Sequence, residues 1–324
     1  MILHIASDSS KHIIYPFIDF VNQNFNKKEH FFILCSKQKE IQKFENSITK
    51  DIFEQEQYFI DKIQTADKII LHGIWYDKLC EILLKVNCFD KIYWQMWGGD
   101  FYFAKKHSEL KKYCFKHIKH FIGSDFDMEY LQEMYKIDIK HKYYTFMYPS
   151  NMFKNIKTRY KKTKKTNILI GNSLDRSNNH LYILRKLKNQ KNIQLFMPIS
   201  YGDNEKYKKF IKIKAKNKFK DKVIFLEDKL EFKQYIKFLS QIDIAIFAHD
   251  RQQAFGNIIT LLGLNKTVYI KYKPMHKFFR RKGIKIKNIN LLSNKVKKHN
   301  NNIKIKKYFS KYTLINQLKN IFQG

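Results

Sequence analysis

Short apolar runs alternate with longer amphipathic stretches along almost the whole chain. In the first half, the runs predict strands at 2–6, 31–35, 68–71, 91–94 and 120–122. In the second half, they predict strands at 167–170, 194–197, 223–226, 242–247 and 267–270. Residues at helical spacing lie between the runs; at 76–86, one side of the predicted helix carries Leu79, Ile82, Leu83 and Val86. This alternation is typical of parallel sheets covered by helices.

A lysine-rich stretch at 151–166 carries no such pattern and separates the two halves. We therefore predict an α/β domain over residues 1–150, a basic linker over 151–166 and a second α/β domain over 167–287. Residues 288–324 predict a basic tail that ends in a helix at 313–322. Two doubly wound, Rossmann-like domains would face each other across a cleft, because open α/β sheets bind ligands at the carboxyl ends of their strands.

The most distinctive polar segment is G-N-S-L-D-R-S-N-N-H at 171–180, between the apolar run 168–170 and a helical pattern. A turn from strand to helix directs backbone N–H groups and the positive end of a helix at one place, which suits a nucleotide diphosphate. Glycine allows close approach, while Ser, Asn and His add neutral donors. The alternative is an ordinary loop with a Ser or Asn cap. The predicted donor-binding residues are Gly171, Asn172, Ser173, Arg176, Ser177, Asn178, Asn179 and His180.

A second polar segment, H-D-R-Q-Q-A-F-G at 249–256, also lies between a predicted strand and a helical pattern. Arginine and glutamine at a strand end have little value in packing, but they bind phosphates and sugar hydroxyls well. The same nucleotide-sugar pocket is therefore predicted to include Arg251, Gln252, Gln253 and Gly256. Two further strand ends add Pro198, Ser200, Tyr201, Gly202 and Glu227. The alternatives are a β-turn at 198–202 and a cap by Glu227 on the helix at 231–241.

Carboxylates follow two strands of the first half. Asp100 lies in W-G-G-D-F-Y at 97–102, and Asp8 follows the first strand. Each is a candidate general base for an acceptor hydroxyl. The alternatives are a helix N-cap for Asp100 and a turn residue for Asp8.

The predicted acceptor site comprises His12, His72, Trp97, Gly98 and Gly99. Trp97 would stack on a sugar ring, and the alternative is that it belongs to the core. His72 would line the same region, and the alternative is a hydrogen-bonded structural residue.

The 324 residues carry a formal net charge of +34. Residues 251–324 contain 18 Lys and Arg but neither Asp nor Glu. Such a surface attracts nucleic acid, anionic lipid headgroups or acidic glycans. Drift of composition in an AT-rich genome explains part of the excess, but it does not require the loss of acids over this stretch.

Several classes of function are disfavoured by the sequence. Neither G-x-G-x-x-G after the first strand nor G-x-x-x-x-G-K-[ST] occurs, which argues against an NAD site and a P-loop. The G-x-S-x-G, H-E-x-x-H and RNP signatures are also missing. No apolar run approaches the roughly 18 residues that span a bilayer, and the start lacks the pattern of a signal peptide. These features predict a cytosolic protein.

Several of these blocks together resemble a known family, the 4-acetamido-4,6-dideoxygalactosyltransferases of glycosyltransferase family 56. The similar segments are W-G-G-D at 97–100, G-N-S-x-D-R-S-N-N-H at 171–180, the segment 198–202, and R-Q-Q at 251–253 with Gly256. Asp8 and the Tyr148-Pro149 pair fit as well, and the likeness runs over roughly residues 1–270. The family is also described as TDP-N-acetylfucosamine:lipid II N-acetylfucosaminyltransferases.

The resemblance implies a GT-B architecture, with the acceptor on the first domain and the nucleotide sugar on the second. It implies a peripheral enzyme at the cytoplasmic face of the bacterial inner membrane. That enzyme would transfer a deoxyamino sugar from a dTDP carrier to a polyprenyl-diphosphate-linked saccharide in surface polysaccharide synthesis. Arg251 and a helix dipole would neutralise the leaving diphosphate, so we expect neither a metal nor a cofactor. The positive charge agrees with an anionic membrane surface as partner.

Two alternatives stay open. One is a glycosyltransferase of the same fold that uses a UDP- or GDP-sugar, because base contacts are often made by main-chain groups. The other is a non-catalytic, basic nucleic-acid-binding protein, which predicts strongly salt-dependent binding of DNA or RNA and no affinity for nucleotide sugars.

Overall fold

The computed structural model describes residues 1–38, 42–154, 164–202, 204–296 and 299–324. Within these ranges the chain forms two compact units. The first unit contains Met1–Ser150 together with Lys311–Gly324, and the second contains Asn151–Ser310. Most of the linker predicted at 151–166 lies outside the described residues.

Within its described residues, the first unit is built on a seven-stranded parallel sheet of order β3-β2-β1-β4-β5-β6-β7. The strands are β1 (Ile2–Ser7), β2 (His30–Cys35), β3 (Ser47–Lys50), β4 (Lys68–His72), β5 (Ile92–Gln95), β6 (His120–Gly123) and β7 (His141–Tyr144). The helices are α1 (Lys11–Asn24), α2 (Glu56–Thr65), α3 (Asp77–Val86), α4 (Glu109–His117), α5 (Asp125–Tyr135) and, from the far end of the chain, α12 (Lys311–Gln323).

The second unit, over the part that the structure describes, has a six-stranded parallel sheet of order β10-β9-β8-β11-β12-β13. The strands are β8 (Thr166–Ile170), β9 (Ile193–Pro198), β10 (Val223–Leu226), β11 (Ile244–Phe247), β12 (Thr267–Ile270) and β13 (Lys287–Asn288). The helices are α6 (His180–Lys186), α7 (Glu205–Phe219), α8 (Phe232–Gln241), α9 (Phe255–Gly263), α10 (Lys273–Arg281) and α11 (Asn302–Tyr308).

Both sheets are doubly wound, because their strand order reverses beside the first strand of each. In the first unit the reversal lies between β1 and β4, and in the second it lies between β8 and β11. Loops leave the carboxyl ends of such neighbours toward opposite faces of the sheet and open a crevice there. The loops after these four strands are therefore where each unit is built to receive a ligand.

Strand β1 shows how the sequence pattern positions these loops. Leu3 and Ile5 are buried in one apolar cluster, together with Leu79 of α3. Alternation along the strand places His4 on the other face, where it is also fully buried. Each fully buried Leu or Ile contributes about 1.5–3 kcal/mol. The strand is thus held on both faces, and its carboxyl end is fixed.

The ten predicted strands are all present, with ends that differ by at most two residues. Three further strands, β3, β7 and β13, were not predicted. Each lies at an edge of its sheet. Edge strands bury less surface and tolerate polar side chains, so they leave no apolar run in the sequence.

The predicted tail at 288–324 differs from the structure. Residues up to Ser310 belong to the second unit, whereas α12 packs in the first. Leu314, Leu318 and Ile321 are buried. The Lys68 ammonium donates to the carbonyl oxygens of Ile321 (2.5 Å) and Phe322 (3.2 Å), which satisfies two acceptors at the end of the helix. Over the ranges described above, no helix has the length and apolar character needed to cross a membrane.

Candidate active site

Two loops of the second unit are joined by side-chain hydrogen bonds. The glycine loop (residues 171–179) follows β8, and the arginine loop (residues 248–254) follows β11. Asn179 Nδ2 donates to the Ala248 carbonyl at 2.7 Å and to Asp250 Oδ2 at 3.1 Å. Ser177 Oγ donates to Gln253 Oε1 at 2.8 Å. The structure therefore brings together the two segments that the sequence assigned to one pocket.

Asn178 is the centre of this junction. Its Nδ2 donates to Ser173 Oγ and to the Asp175 carbonyl, each at 3.0 Å. Its Oδ1 accepts from the Asn172 backbone N–H at 2.9 Å and lies 3.0 Å from His249 Nε2. Because a backbone N–H can only donate, the amide orientation is settled and His249 must carry its proton on Nε2.

The prediction that Asn178 contacts the donor is therefore corrected. Asn178 is fully buried, and both ends of its amide are engaged within the protein. It acts as a brace between the two loops. Burial lowers the pKa of His249 to about 3, so this histidine is neutral and keeps the tautomer that Asn178 requires.

Gly171 leaves room for the Asn178 side chain between the two loops. Its φ of +66° lies in the left-handed region, and its N–H donates to the Ile246 carbonyl at 2.9 Å. A Cβ at this position would lie 2.4 Å from Asn178 Oδ1. The close approach that glycine permits here is to the asparagine amide, whereas the sequence analysis assigned it to a phosphate.

Two polar atoms of the paired loops lack internal partners. Arg251 Nη1 donates to the Gln252 carbonyl at 3.2 Å, but Arg251 Nε is buried without a hydrogen-bond partner among the described residues. The same holds for Asn172 Oδ1. A buried polar group left unsatisfied costs about 1–3 kcal/mol. A ligand with acceptor oxygens and hydroxyl donors, such as a sugar phosphate, matches this pair.

Helix α9 begins directly after the arginine loop. Its N-cap is Ala254, which has a φ of +59° and accepts no capping hydrogen bond through its side chain. The first-turn N–H groups, including that of Gly256, therefore lack side-chain capping by this residue. The dipole of the nine-residue helix adds positive potential at this end. Together with Arg251, the helix start forms a place that suits an anion.

The start of α6 does not match the simple cap considered above. Asn179 occupies the N-cap position with a φ of +52°, and its side chain makes no capping hydrogen bond. Asp175 instead caps a short 3₁₀ turn by accepting from the Ser177 N–H at 2.8 Å. The glycine loop is thus capped from within by Asp175, while the Asn179 side chain donates to the arginine loop.

Two of the residues predicted to bind the nucleotide sugar lie beside α7. His180 is buried, and its Nδ1 lies 3.1 Å from the Tyr207 hydroxyl. Burial lowers the pKa of His180 to about 4. The Arg176 guanidinium lies over the Tyr207 ring, 5.2 Å from its centre. His180 thus packs between α6 and α7, while its Nε2 is buried without a hydrogen-bond partner among the described residues, and its contact with the donor stays a prediction.

The segment at 198–202 lies against the glycine loop. The Leu174 N–H donates to the Tyr201 carbonyl at 2.8 Å. Pro198 is buried at the end of β9, whereas the Tyr201 side chain is 68% exposed. Ser200 and Gly202 are exposed beside it, and Gly202 has a φ of +122°. The segment is a turn at the rim of the paired loops, so the turn alternative and the predicted location are compatible.

Glu227 is engaged elsewhere. Its carboxylate forms ion pairs with Lys212 (2.7 Å) and Lys208 (3.7 Å), both on α7. The hydrogen bond from Lys212 lowers the pKa of Glu227. Helix α8 is capped by Glu231 and Gln234 in a capping box. The cap alternative for Glu227 is therefore wrong, whereas its role with sugar hydroxyls stays a prediction, since its side chain is 42% exposed beside these lysines.

In the first unit, Asp100 is not available to a substrate. It is completely buried, and its Oδ2 accepts from Trp94 Nε1 (2.8 Å) and the Ile74 N–H (3.2 Å). Its Oδ1 accepts from the Trp97 N–H at 3.0 Å. Burial raises the pKa of Asp100. The prediction of Asp100 as a general base is corrected: it fastens the W-G-G turn to β5 and to the loop after β4. Its N-cap alternative is also wrong, since Ser108 caps α4.

Asp8 occupies a more open position. It is half-buried at the carboxyl end of β1, in a 3₁₀ turn that precedes α1. Ser36 Oγ donates to Asp8 Oδ2 at 2.6 Å. The neighbouring Ser7 Oγ lies 2.9 Å from the Tyr76 hydroxyl, which links the loops after β1 and β4. His12 is exposed in the first turn of α1. The role of Asp8 as a general base stays a prediction, with its carboxylate half-buried at the end of the first strand.

Two tryptophans stand at the carboxyl edge of the first sheet, and only Trp97 was predicted. Their rings are half-buried and meet edge to face, with centroids 6.0 Å apart. Trp75 Nε1 donates to the His72 carbonyl at 3.0 Å, and Trp97 Nε1 donates to the Tyr148 hydroxyl at 2.7 Å. Gly73, at a φ of +80°, leaves room for Trp75, since a Cβ there would lie 2.4 Å from its Nε1.

Three buried histidines form a row, of which His4 and His30 were not predicted. His72 was predicted to line the acceptor site, but it is fully buried and matches its alternative as a hydrogen-bonded structural residue. His72 Nδ1 lies 2.7 Å from the Tyr148 hydroxyl, and His72 Nε2 lies 3.1 Å from His4 Nδ1. His4 Nε2 lies 3.0 Å from His30 Nδ1. Burial lowers the pKa of His72 to about 3 and that of His30 to about 4, and it holds the pKa of His4 well below its ordinary value. All three rings are therefore neutral.

Comparison with known proteins identifies the family to which this chain belongs. Residues 1–312 match the family model described as 4-alpha-L-fucosyltransferase, glycosyl transferase group 56. The chain belongs to glycosyltransferase family 56. As a member of this family it is a glycosyltransferase, which confirms the resemblance in the sequence.

Solved structures agree on the fold. A glycosyltransferase from Rickettsia africae is 13% identical, with a TM-score of 0.66 and coverage of 99% of this chain and 97% of that one. Anabaena HepE in complex with UDP and glucose is 9% identical, with a TM-score of 0.67 and coverage of 100% and 99%. The UDP-GlcNAc 2-epimerase from Neisseria meningitidis, bound to UDP-GlcNAc, is 13% identical, with a TM-score of 0.51 and coverage of 99% and 98%. These similarities confirm the GT-B fold of this family 56 chain.

Proposed function

We propose that this family 56 glycosyltransferase transfers a deoxyamino sugar from a dTDP carrier to a polyprenyl-diphosphate-linked saccharide. The second unit would bind the donor, and the first unit would bind the acceptor. The observation that supports the donor site best is the pairing of the glycine and arginine loops, which leaves Arg251 Nε buried without an internal partner.

The donor diphosphate would lie between Arg251 and the start of α9. There the guanidinium and the first-turn N–H groups neutralise the charge that grows on the leaving diphosphate, without a metal ion or cofactor. Asn172, Gln252, Gly256 and the rim at Ser200–Gly202 complete the proposed contacts. Asn178 and His249 would not touch the donor, but they hold both loops in register.

Asp8 would act as the general base. Its carboxylate takes the proton of the acceptor hydroxyl while that oxygen forms a bond to C1 of the sugar. The bond from C1 to the diphosphate oxygen breaks, and the nucleotide diphosphate leaves with the electron pair. Asp8 is preferred to Asp100 because Asp8 is half-buried, whereas Asp100 is sealed in the core by three donors.

An anionic membrane surface would be the place of this reaction. The net charge of +34, and the absence of Asp and Glu from residues 251–324, support attraction to acidic headgroups and to a diphosphate-linked lipid. We therefore propose a peripheral enzyme at the cytoplasmic face of the bacterial inner membrane, active in surface polysaccharide synthesis.

A UDP-sugar donor is the second candidate. It is favoured by two relatives of the same fold whose structures contain UDP or UDP-GlcNAc. Both candidates use the same diphosphate contacts, so the two nucleotides differ at the base and at the ribose 2′-hydroxyl, which dTDP lacks. A GDP-sugar, for which we have no separate support, belongs to the same test.

Isothermal titration of the whole protein with dTDP, UDP, GDP and a DNA duplex at physiological salt tests this proposal. We expect one diphosphate to bind best and Arg251→Ala to weaken it at least tenfold. Arg185→Ala is the matched control, because it removes the same charge from an exposed position on α6. Equal binding by wild type and Arg251→Ala would contradict the donor site. Salt-sensitive binding of DNA with no nucleotide affinity would instead support the nucleic-acid alternative.

A further inference from the structure

The hydrogen bonds from Trp97 to His30 have one fixed direction. An indole N–H can only donate, so the Tyr148 oxygen accepts from Trp97. Among the described residues, His72 Nδ1 is the one acceptor within reach of the buried Tyr148 proton, and we therefore assign that proton to it. Neutral His72 then carries its proton on Nε2 and donates it to His4 Nδ1. By the same argument, His4 Nε2 donates to His30 Nδ1. One constraint at the tryptophan thus sets the tautomers of three histidines.

This series of hydrogen bonds is not suited to carrying protons from a substrate. Its end at the carboxyl edge of the sheet is the Trp97 indole, which has no acceptor atom and does not exchange its proton in a catalytic cycle. A relay would need an acceptor at that end. The series is suited to holding the Trp97 indole in place, because Tyr148, His72 and His4 are all buried and each has only one compatible orientation.

Both tryptophans depend on His72. Its backbone carbonyl accepts from Trp75 Nε1, and its imidazole holds Tyr148, which in turn holds Trp97 Nε1. We propose that His72 and Tyr148 are positioning residues that hold Trp75 and Trp97 as an aromatic platform for a saccharide ring of the acceptor. This inference rests on the proposed assignment of the acceptor to the first unit.

The geometry favours a sugar as the occupant. Tryptophans that anchor a protein in a membrane interface keep the indole N–H for water or headgroups. Here both N–H groups are consumed inside the protein, so the half-exposed rings offer only apolar surface and edges. Gly98 and Gly99 precede Asp100 in the turn beside them, and Gly99 is exposed. A Cβ at Gly99 would lie 3.1 Å from the six-membered ring of Trp75, so this glycine lets the indole pack closely against the turn.

The test uses Tyr148→Phe, which keeps the ring but removes the hydroxyl that accepts from Trp97. The matched control is Tyr143→Phe, because the Tyr143 hydroxyl also lies against a histidine (His120 Nδ1, 3.2 Å) but on β7 and away from Trp97. With three tryptophans in the chain, the difference from Trp97→Phe isolates the emission of Trp97. The probes are free disaccharides of N-acetylhexosamines and of hexoses, and vesicles of phosphatidylglycerol.

We expect a disaccharide to quench Trp97 in wild type and in Tyr143→Phe. Tyr148→Phe should shift the Trp97 emission and weaken disaccharide binding about tenfold, with unchanged affinity for the nucleotide diphosphate. In turnover assays the KM for the acceptor should rise about tenfold while kcat changes less. A merely structural role would instead lower kcat and nucleotide affinity together.

The inference would be overturned by equal disaccharide affinity in wild type and Tyr148→Phe, or by disaccharides that never affect Trp97. Quenching of Trp97 by vesicles alone would overturn it in favour of a membrane contact. If Tyr148→Phe does not fold, Trp97→Phe must itself reduce disaccharide binding tenfold for the platform to stand. Failure of all nucleotide binding in wild type would contradict the proposed donor site and leave the disaccharide result to decide the platform.

Discussion

His249 Nε2 donates to Asn178 Oδ1 at 3.0 Å, and this bond joins the loops that follow the two strands flanking the switch point of the second sheet. The histidine is 3% exposed and the asparagine is fully buried. Neither residue touches a substrate in the proposed mechanism. Their contact nevertheless sets where Arg251 lies relative to the glycine loop.

Asn178→Ala should therefore lower both the stability of the protein and its affinity for the donor. The change leaves the His249 and Asn172 N–H groups without their acceptor, so we expect a loss of about 2–4 kcal/mol in the free energy of unfolding and weak donor binding. Urea denaturation and calorimetry measure the two effects. Asn204→Ala is the control, since it removes only the cap of α7 and should cost about 1 kcal/mol with normal donor affinity. Normal donor affinity in Asn178→Ala would show that the brace is not needed.

Gly171→Ala should be poorly tolerated. The new Cβ would collide with the Asn178 amide, and alanine disfavours the φ of +66°. We expect a loss of at least about 2 kcal/mol and of donor binding. Gly123→Ala is the comparison, because a Cβ there makes ordinary contacts 3.5 Å from Met96. Thermal melting of the two variants side by side is the measurement, and equal melting temperatures would refute the steric argument.

Asp8→Asn and Asp100→Asn should fail in different ways. Removing the proposed base should lower turnover by roughly 10²–10⁴-fold, with little change in donor affinity or stability. Asp100→Asn should lower stability, because an amide group would face one of the three donors that now meet carboxylate oxygens. Turnover and urea midpoints of both variants provide the test. A stable, folded Asp100→Asn protein that lacks activity would return the catalytic role to Asp100.

Acidification should lower the free energy of unfolding at pH values above those at which most carboxylates become protonated. The buried histidines have pKa values lowered by burial, so between about pH 6.5 and 4 the unfolded chain binds more protons than the folded one. Stability therefore falls as pH falls in this window, by up to roughly 1.4 kcal/mol per pH unit for each group. Asp127, whose pKa burial raises to about 7, acts in the opposite direction.

Urea denaturation at pH 7.5 and pH 5 measures this dependence. His249→Gln should reduce the slope, since a glutamine amide can still donate to Asn178 but does not titrate. Unchanged stability between the two pH values would mean that these histidines are not buried as the structure has them.

The sequence predicted the central strands well because those strands are buried on both faces and form apolar runs. It also predicted that the segments near Gly171 and Arg251 belong to one site, since the carboxyl ends of parallel strands lie at the same edge of a sheet. Burial of polar groups was not predictable in the same way. Asp100 and Glu227 looked alike as carboxylates after strands, yet one is sealed in the core and the other pairs with surface lysines.

The histidine row left no signal that spacing could reveal. His4, His30, His72 and Tyr148 are far apart in the chain and become neighbours only through the strand order β2-β1-β4 and the packing of residues beyond β7. Each histidine alone matches an ordinary structural residue. What could have raised suspicion is that His4 interrupts an otherwise apolar strand, since a polar group there needs a partner.

The return of α12 to the first unit has a consequence for how the protein is made. Synthesis delivers the seven strands of that unit early, but Phe322, whose ring packs 4.5 Å from that of His30, is added only after the whole second unit has been translated. Until then the Lys68 ammonium has no helix end to cap. During translation of the second unit, the first unit therefore lacks the helix that covers this part of its surface.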